Sequence, residues 1–256
     1  MKPILENFEF HTCDHCNFNC KGCGHFSNIA KQWFYDVEMY YKDIKKMNKL
    51  LDVRQIRILG GEPLLHDRIE DFLIYTRKVF KKAKIQVVSN GVLIPKMKES
   101  FWEQCRVNDI IINLSIYPPL FNKYNKIVEL VKEKGVKVIS HKTDRFFART
   151  NIKGDSDPHK AMKVCRDAFF CPFLRNGKLY VCGKPALIDI YNKEYNERIP
   201  SGKGIDLYDE SLTGEKIMNL LFTPIETCKY CTLDFKSTFE WEVSKNKDAK
   251  KEDWLG

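Results

Sequence analysis

The stretch CNFNCKGC at residues 16–23 places three thiols within eight residues. The three thiols are those of Cys16, Cys20 and Cys23. The apolar run at residues 8–12 predicts a β-strand, so the thiols lie in the loop that follows it. Thiolates select soft metals, and this spacing suits one compact cluster better than a zinc ribbon, whose cysteine pairs sit about 12 or more residues apart. With Cys13 as a fourth ligand, a zinc knuckle is the alternative.

The first 145 residues alternate apolar runs typical of strands with amphipathic segments typical of helices. Strands are predicted over residues 8–12, 55–59, 84–88, 110–116 and 136–140. Helices are predicted over residues 36–51, 67–80, 96–105 and 122–134, with Asp36 as an N-cap and Gly135 at a helix end. Such alternation with short connections predicts an α/β fold, with a parallel sheet and functional loops at the carboxyl ends of its strands.

Further chemistry-bearing residues follow the later strands. Gly60, Gly61, Glu62 and Pro63 form a Gly-Gly-Glu-Pro motif after the second strand. Ser89 and Asn90 follow the third strand, and Asn113 and Ser115 lie on the fourth. On its own, Gly-Gly-Glu-Pro would be a turn that ends a strand, and Ser-Asn-Gly is also ordinary turn chemistry.

The two motifs together, Cys-x3-Cys-x2-Cys after the first strand and Gly-Gly-Glu-Pro after the second, resemble the radical S-adenosylmethionine (radical SAM) superfamily. The resemblance implies a partial (β/α)6-type barrel over residues 1–145. It implies a [4Fe-4S] cluster on Cys16, Cys20 and Cys23 with one open iron, to which SAM binds. A flavodoxin- or ferredoxin-type reductant is implied as a partner.

The resemblance also implies roles at the SAM site. Gly60 and Gly61 would let the backbone approach the methionyl part, Glu62 would accept a hydrogen bond from its amino group, and Pro63 would hold the turn. Ser89, Asn90, Asn113 and Ser115 would contact the methionyl group and the ribose. One position departs from the family pattern, because an aromatic residue usually precedes the third cysteine and this chain has Gly22. Phe18 or Phe26 could supply the ring instead, and His25 could bind a sulfur or the substrate or be an ordinary loop histidine.

The alternation of strand-like and helix-like segments ends after Lys142, and we therefore predict a domain boundary near residue 145. Apolar runs at residues 169–173 and 179–182 flank Arg175-Asn176-Gly177, which predicts a β-hairpin. A helix is predicted over residues 211–222. The mostly charged end, residues 244–256, is expected to be solvated and partly disordered.

Five more cysteines lie in the last third of the chain: Cys165, Cys171, Cys182, Cys228 and Cys231. Their layout resembles the auxiliary-cluster extensions of radical SAM enzymes called SPASM and twitch, in which a cysteine precedes Gly-x4-Cys. Eleven residues separate Cys165 from Gly177, whereas five separate Cys171 from it, so Cys165 fits the first position better. Because only one Cys-x2-Cys pair follows, the resemblance implies one auxiliary [4Fe-4S] cluster, the twitch arrangement, in a small hairpin-plus-helix domain over residues 146–243. Its implied ligands are Cys165, Cys182, Cys228 and Cys231.

Cys171 is then unassigned. It could replace Cys165 as a ligand, return a hydrogen atom to a substrate radical as a thiol does in aminoglycoside epimerases of the superfamily, or simply pack in the hairpin. Cys13 and Cys105 are predicted to be small buried side chains.

Composition and charge limit the classes of protein to which this chain can belong. The 256 residues carry a formal net charge of +9 and ten cysteines, and no apolar run approaches the roughly 18 residues of a membrane span. We therefore expect a cytoplasmic protein whose cysteines serve metal binding or redox catalysis rather than structural disulfides. The positive charge would attract an anionic small molecule, but lysines are spread over helical faces without interleaved aromatics, which argues against nucleic acid.

These features predict a radical SAM oxidoreductase or epimerase that abstracts hydrogen from a small sugar-like or aminocyclitol substrate. Its layout is most similar to aminocyclitol dehydrogenases of the butirosin type. Two alternatives are a peptide-modifying maturase, against which we count the early start of the barrel, and a zinc-stabilised binding module.

Overall fold

The computed structural model describes residues 1–168, 170–233, 237–244 and 249–256. Five strands begin the fold: β1 (Ile4–His11), β2 (Asp52–Leu59), β3 (Lys84–Ser89), β4 (Ile110–Ile116) and β5 (Lys137–Lys142). Each of them is parallel to its neighbours in this group. The connecting helices are α1 (Val37–Leu50), α2 (Ile69–Val79), α3 (Glu99–Val107) and α4 (Tyr124–Glu133). The predicted α/β fold is confirmed.

Local chemistry accounts for these helices. The Asp36 carboxylate accepts a hydrogen bond from the Met39 amide at 2.7 Å and caps α1, as predicted. An apolar stripe along α1, which includes Tyr40, Ile44 and Met47, is fully buried against the sheet. Gly135, at a φ of +70°, follows the end of α4 in a conformation that favours glycine.

The rest of the chain is short elements: β6 (Arg145–Phe147), α5 (Pro158–Ala168), β7 (Phe173–Arg175), β8 (Lys178–Tyr180), α6 (Gly183–Tyr195), β9 (Ile205–Asp206), α7 (Gly214–Leu221) and β10 (Thr238–Glu240). The predicted hairpin is β7–β8, and its turn at Asn176 and Gly177 has positive φ at both positions. Phe169, in the first predicted hairpin strand, lies outside the described residues. Helices α5 and α6 were not predicted.

The hairpin belongs to the same sheet as the barrel strands. The strand order is β5-β4-β3-β2-β1-β7-β8-β9, and β7 pairs with β1 in parallel. Strand β1 is thus central, with neighbours on both sides. The domain boundary near residue 145 stays a prediction, but the hydrogen bonds of the sheet cross it.

The core lies between the sheet and its helices. The Phe10 ring packs 4.4 Å from the Tyr40 ring and 5.8 Å from the Phe72 ring, centroid to centroid. Cys13 and Cys105 are buried, as predicted. The last residues also contribute, since Trp254 is only 3% exposed. Within the end that was expected to be solvated, Lys250, Glu252 and Gly256 are exposed, but the apolar Trp254 packs against the rest of the chain.

None of the helices in the described ranges is long and apolar enough to cross a bilayer.

The Asp43 carboxylate joins α1 to the hairpin. Asp43 is fully buried. It accepts hydrogen bonds from the Tyr35 hydroxyl, from the Tyr208 hydroxyl at 2.7 Å and from the Gly177 amide at 2.7 Å. Three donors therefore depend on one acceptor, and two of them, Gly177 and Tyr208, lie 134 and 165 residues away in the sequence.

We expect Asp43→Ala to lower the free energy of unfolding of the metal-free protein by about 3 kcal/mol, because it leaves buried donors without an acceptor. Tyr208→Phe, which removes one bond from a half-exposed hydroxyl, should cost about 1 kcal/mol. Urea unfolding under reducing conditions measures both. Equal costs for the two variants would contradict the central role of Asp43.

Candidate functional site

A pocket at the carboxyl ends of β1–β4 gathers most of the site residues that the sequence singled out within the first 145 residues. Its wall includes Cys16, Cys20, Cys23, Gly60, Gly61, Ser89, Asn90 and Ser115. Glu62, Pro63 and Asn113 do not line it. The Asn113 amide instead donates to the Gln86 side chain at 3.0 Å. We call this the cluster pocket.

The two glycines of Gly-Gly-Glu-Pro are needed by the cysteine loop itself. A Cβ on Gly61 would lie 2.2 Å from the His15 carbonyl oxygen, and one on Gly60 would lie 2.8 Å from the Cys13 carbonyl oxygen. The Gly61 amide donates to that Cys13 oxygen at 2.8 Å. Because real Cβ atoms do not approach backbone this closely, any other residue would push the cysteine loop away from the end of β2.

Glu62 ties this turn to the end of β3. Its buried carboxylate accepts from the Ser89 hydroxyl at 2.8 Å, from the Asn90 amide at 2.9 Å and from the Leu64 amide at 3.3 Å. Burial raises the pKa of Glu62 to about 7, although these hydrogen bonds act in the opposite direction. Pro63 is buried and begins a short 3-10 helix, Pro63–Leu65.

The cluster pocket fits a thiolate-bound metal cluster. Its three cysteines form no disulfide. Burial raises the pKa of the Cys16 thiol and raises that of Cys20 to about 12, and a bound metal would favour the thiolates by compensating their charge. The buried Ser27 hydroxyl, in the same wall, has no hydrogen-bond partner among the described residues, which suits a polar ligand beside the metal.

A second cavity, of about 250 Å³, lies next to the cluster pocket. This is just below the range of about 300–1,000 Å³ typical of small-ligand sites. Its wall includes Gly22 and Gly24 of the cysteine loop, the charged residues Glu9, Arg57, Arg149 and Lys184, and the thiols of Cys165, Cys171, Cys182 and Cys231. His25 lines both spaces. We call the second space the central cavity.

Sequence reasoning missed the polar residues of β1. Asn7, Glu9 and His11 alternate with Phe8 and Phe10, and all five are buried. Polar residues at every second position of a central strand were the available signal, because such a strand has no solvent-facing side. Burial raises the pKa of Glu9 to about 7, although Arg57 and Arg149 act to lower it.

A row of hydrogen bonds fixes His25 between the two spaces. Its Nδ1 lies 2.6 Å from His11 Nε2, and His11 Nδ1 lies 2.9 Å from Asp14 Oδ1. Arg175 donates to both oxygens of Asp14, at 2.9 and 2.7 Å. Burial opposes the ionisation of Asp14, but the hydrogen bonds from His11 and Arg175 lower its pKa to about 2. Burial lowers the pKa of His25 to about 3, so the imidazole is neutral at pH 7.

The structure brings the five C-terminal cysteines together. Cys171 and Cys182 share the wall of the central cavity with Cys165 and Cys231. Cys228 does not line the cavity, but it interacts electrostatically with Cys231 and Cys165. No disulfide joins any of the five. Four thiols therefore border the cavity and a fifth, that of Cys228, lies near two of them. The group holds one thiol more than a four-iron cluster needs.

Arg166 supplies positive charge to this thiol group. It interacts electrostatically with Cys165, Cys171 and Cys228. Its Nε and Nη1 atoms are buried without a hydrogen-bond partner among the described residues. Phe170 lies against the guanidinium, 4.8 Å from ring centroid to Cζ. A buried cation with unused donors beside thiols fits a negatively charged group at this place.

Comparison with known proteins places these features in a family. The radical SAM superfamily model matches residues 11–143. A probable GTP 3′,8-cyclase of Pyrobaculum aerophilum is 24% identical over 223 residues, which cover 87% of this chain and 64% of that protein. The GTP 3′,8-cyclase of Alkaliphilus oremlandii is 29% identical over 116 residues, 44% of this chain and 35% of that protein. The chain thus spans less than two thirds of the length of these relatives.

Among solved structures, the crystal structure of BtrN in complex with AdoMet and 2-DOIA is similar, with a TM-score of 0.50 and 13% identity. The similarity covers 94% of this chain and 100% of that one, and at this identity it shows the fold alone. Since the family model matches more than half of the 256 residues, the chain belongs to the radical SAM superfamily.

Proposed function

We propose that this protein is a radical SAM enzyme that abstracts a hydrogen atom from a small polar substrate, sugar-like or aminocyclitol, and gives an oxidised or epimerised product. One observation carries the proposal: the cysteine loop of the family motif and the C-terminal thiol group border the same central cavity. A molecule in that cavity would be within reach of both.

The chain's own residues would hold the groups that the family uses. Cys16, Cys20 and Cys23 would bind the open-site [4Fe-4S] cluster, with SAM beside Ser89, Asn90 and Ser115 in the cluster pocket. Bound there, these groups supply a 5′-deoxyadenosyl radical as the hydrogen-abstracting agent, with an electron from a flavodoxin- or ferredoxin-type reductant. The protein's part is to orient the substrate carbon and to exclude water.

The C-terminal thiols would hold a second [4Fe-4S] cluster of the twitch type. We assign its ligands as Cys165, Cys182, Cys228 and Cys231, which leaves Cys171 as a thiol in the cavity wall. The unpartnered donors of Arg166 support a negative charge here, because four thiolates give such a cluster a net charge of about −2. Held there, such a cluster would supply a one-electron oxidant next to the cavity. Loss of one electron to it and of the hydroxyl proton to solvent would convert a substrate radical into a ketone, which is the oxidative outcome.

Cys171 supports the epimerising outcome. It is a free thiol in the wall of the central cavity. Burial raises its pKa, so it keeps the hydrogen that a donor needs. Transfer of that hydrogen to a carbon radical forms a C–H bond and leaves a thiyl radical, which the external reductant and a proton restore to the thiol.

The charged wall favours a polar substrate. Glu9 is a buried acceptor for hydroxyl or amino groups, and Arg57 lies beside it, with 3.9 Å between Arg57 Nη1 and Glu9 Oε2. Both residues line the cavity, as does Arg149. A wall with both hydrogen-bond donors and acceptors suits a polyol or amino sugar better than an apolar compound.

A second candidate substrate is GTP. The alignment with the probable GTP 3′,8-cyclase of Pyrobaculum aerophilum covers 87% of this chain. Arg57 and Arg149 could pair with phosphate. The ammonium group of Lys184, however, donates to the Arg149 and Tyr230 carbonyl oxygens, and Glu9 would repel an anion. We therefore rank the sugar-like substrate above GTP.

An assay of 5′-deoxyadenosine formation with aminocyclitols, amino sugars, GTP and short peptides tests this ranking of the substrates.

Anaerobically purified protein should hold about eight irons with matching sulfide, four for each cluster. Cys20→Ala and Cys182→Ala should each lower the iron content by about four, because each removes a ligand from one cluster only. Cys105→Ala, at a buried cysteine on α3, is the matched control and should retain all the iron. Zinc without sulfide would overturn the proposal in favour of a binding module.

Cys171→Ala should retain about eight irons, whereas Cys165→Ala should lose about four, because only Cys165 is assigned as a ligand. With an epimerisable substrate in deuterated water, the wild-type protein should incorporate deuterium at the inverted carbon. Cys171→Ala should abolish that incorporation while 5′-deoxyadenosine still forms. Loss of four irons from Cys171→Ala would instead make Cys171 a cluster ligand, and an unlabelled ketone product would exclude it as the hydrogen donor.

At pH 8, above the raised pKa of Glu9, Glu9→Gln should raise the KM for the substrate about tenfold or more, because the loss of a charged acceptor costs about 1.5–3 kcal/mol. Glu6→Gln is the matched control, since Glu6 is an exposed glutamate of the same strand. Steady-state kinetics measure both. An unchanged KM for Glu9→Gln would exclude Glu9 from the substrate site.

A further inference from the structure

The segment of residues 237–244, which we call the strap, lies along the cysteine loop. The Lys21 amide donates to the Glu242 carbonyl oxygen at 2.9 Å, and the Ser244 amide donates to the Asn19 carbonyl oxygen at 2.6 Å. Between these bonds, Cys20 and Val243 form an antiparallel β-bridge. The backbone of the loop that carries the cysteines is thus held by a segment more than 200 residues later in the sequence.

Trp241 of the strap contacts a cysteine of the cluster motif directly. Its indole Nε1 donates to Cys20 Sγ at 3.1 Å. The indole stacks on the Tyr117 ring, at 5.7 Å between centroids and 13° between planes, and meets the Phe18 ring edge-on at 5.9 Å. Phe18 and Tyr117 both line the cluster pocket, so the indole is fixed in the position from which it reaches the sulfur.

The strap also accounts for Gly22, the position at which the chain departs from the family pattern. A Cβ on Gly22 would lie 2.5 Å from the Phe239 ring and 2.4 Å from the Asp253 carbonyl oxygen. Gly22 has a φ of +61°, which other residues rarely adopt. The space next to this position therefore belongs to C-terminal residues. An aromatic side chain at residue 22 would have to displace the strap.

A hydrogen bond to a ligand sulfur acts on the metal. It stabilises negative charge on the sulfur, and hydrogen bonds to the sulfurs are among the factors that set the reduction potential of an iron–sulfur cluster. The bond favours the reduced cluster, which carries the extra electron. Because the Tyr117 and Phe18 rings hold the indole in place, its hydrogen bond to the sulfur would contribute to the reduction potential in every molecule.

We propose that Trp241 is a positioning residue of the cluster site, and that its N–H bond to the Cys20 sulfur raises the reduction potential of the cluster held by Cys16, Cys20 and Cys23. The proposal rests on the cluster that family membership implies and goes beyond the reaction proposed above. It assigns the strap to the cluster site, where it covers the cysteine loop and supplies the one indole donor observed on a cysteine sulfur of the motif among the described residues.

Trp241→Phe keeps a ring but removes the donor, so it isolates the hydrogen bond. We expect this variant to hold the same iron as the wild type but to show a more negative midpoint potential. The measurement is a redox titration monitored by electron paramagnetic resonance, on the signal that changes when SAM is added, because only the open-site cluster responds to SAM. Trp254→Phe is the matched control, since its indole donates at 2.7 Å to the Cys23 carbonyl oxygen of the same loop and not to a sulfur.

A second readout needs no metal. In the metal-free protein, Trp241→Ala should make Cys20 react with iodoacetamide several-fold faster, whereas Trp241→Phe should stay close to the wild type because its ring still covers the loop. Mass spectrometry of the labelled peptide gives the rates. A midpoint potential in Trp241→Phe equal to that of the wild type, or an equal shift in Trp254→Phe, would overturn the proposal. Wild-type protein without iron would overturn both this proposal and the proposed function.

Discussion

The contact between the Gly60–Gly61 turn and the backbone of residues 13–15 is the constraint on which the site depends. The amides of Gly61 and Glu62 donate to carbonyl oxygens of the cysteine loop at 2.8 and 3.2 Å. These bonds form only because neither glycine carries a Cβ. The end of β2 thereby fixes where the loop leaves β1, and Glu62 extends the same connection to the end of β3. Three neighbouring strand ends thus act as one rigid support for three thiols.

The middle of β1 must bury polar side chains next to the central cavity. Residues 7–11 are buried on both faces of the strand, whereas Ile4 and Glu6 at its start are exposed. Of the buried polar residues, Glu9 lines the cavity. The cost of burying Asn7, Glu9 and His11 is offset where partners exist: Asn7 donates to the Phe170 carbonyl oxygen, and His11 bonds His25 and Asp14. Burial raises the pKa of Glu9 to about 7, because the ion pair observed for it among the described residues, with Arg57 at 3.9 Å, is too long to offset the loss of hydration. A buried carboxyl with incomplete pairing is a feature typical of binding sites rather than of cores.

The sequence was sufficient where structure is locally determined. The Asp36 cap, the Asn176-Gly177 turn and the periodicity of β1–β5 and their helices depend on neighbours within a few residues, and the element order followed from them. The motif spacing brought Cys16, Cys20, Cys23, Gly60 and Gly61 to one pocket. The strap and Trp254 could not be predicted in this way, since their partners lie more than 200 residues away and a charged end gives no periodic signal. Glu9 and His11 alternate with apolar residues along β1, which could have marked them as buried polar residues. That interpretation requires β1 to be a central strand, and this is known only once β7 is seen to pair with its second edge.

Residues near the C-terminus also link the thiols of the cysteine loop to the C-terminal thiol group. Strand β10 of the strap pairs with β6, and three residues after β6 the Thr150 backbone bridges both Cys231 and Leu255. Trp254, next to Leu255, donates to the Cys23 carbonyl oxygen. The same short C-terminal stretch therefore contacts the loop of the first thiol group directly and reaches the backbone of Cys231 through Thr150. Because densely packed interiors deform little, these contacts act together with the sheet to hold the two thiol groups on either side of the central cavity.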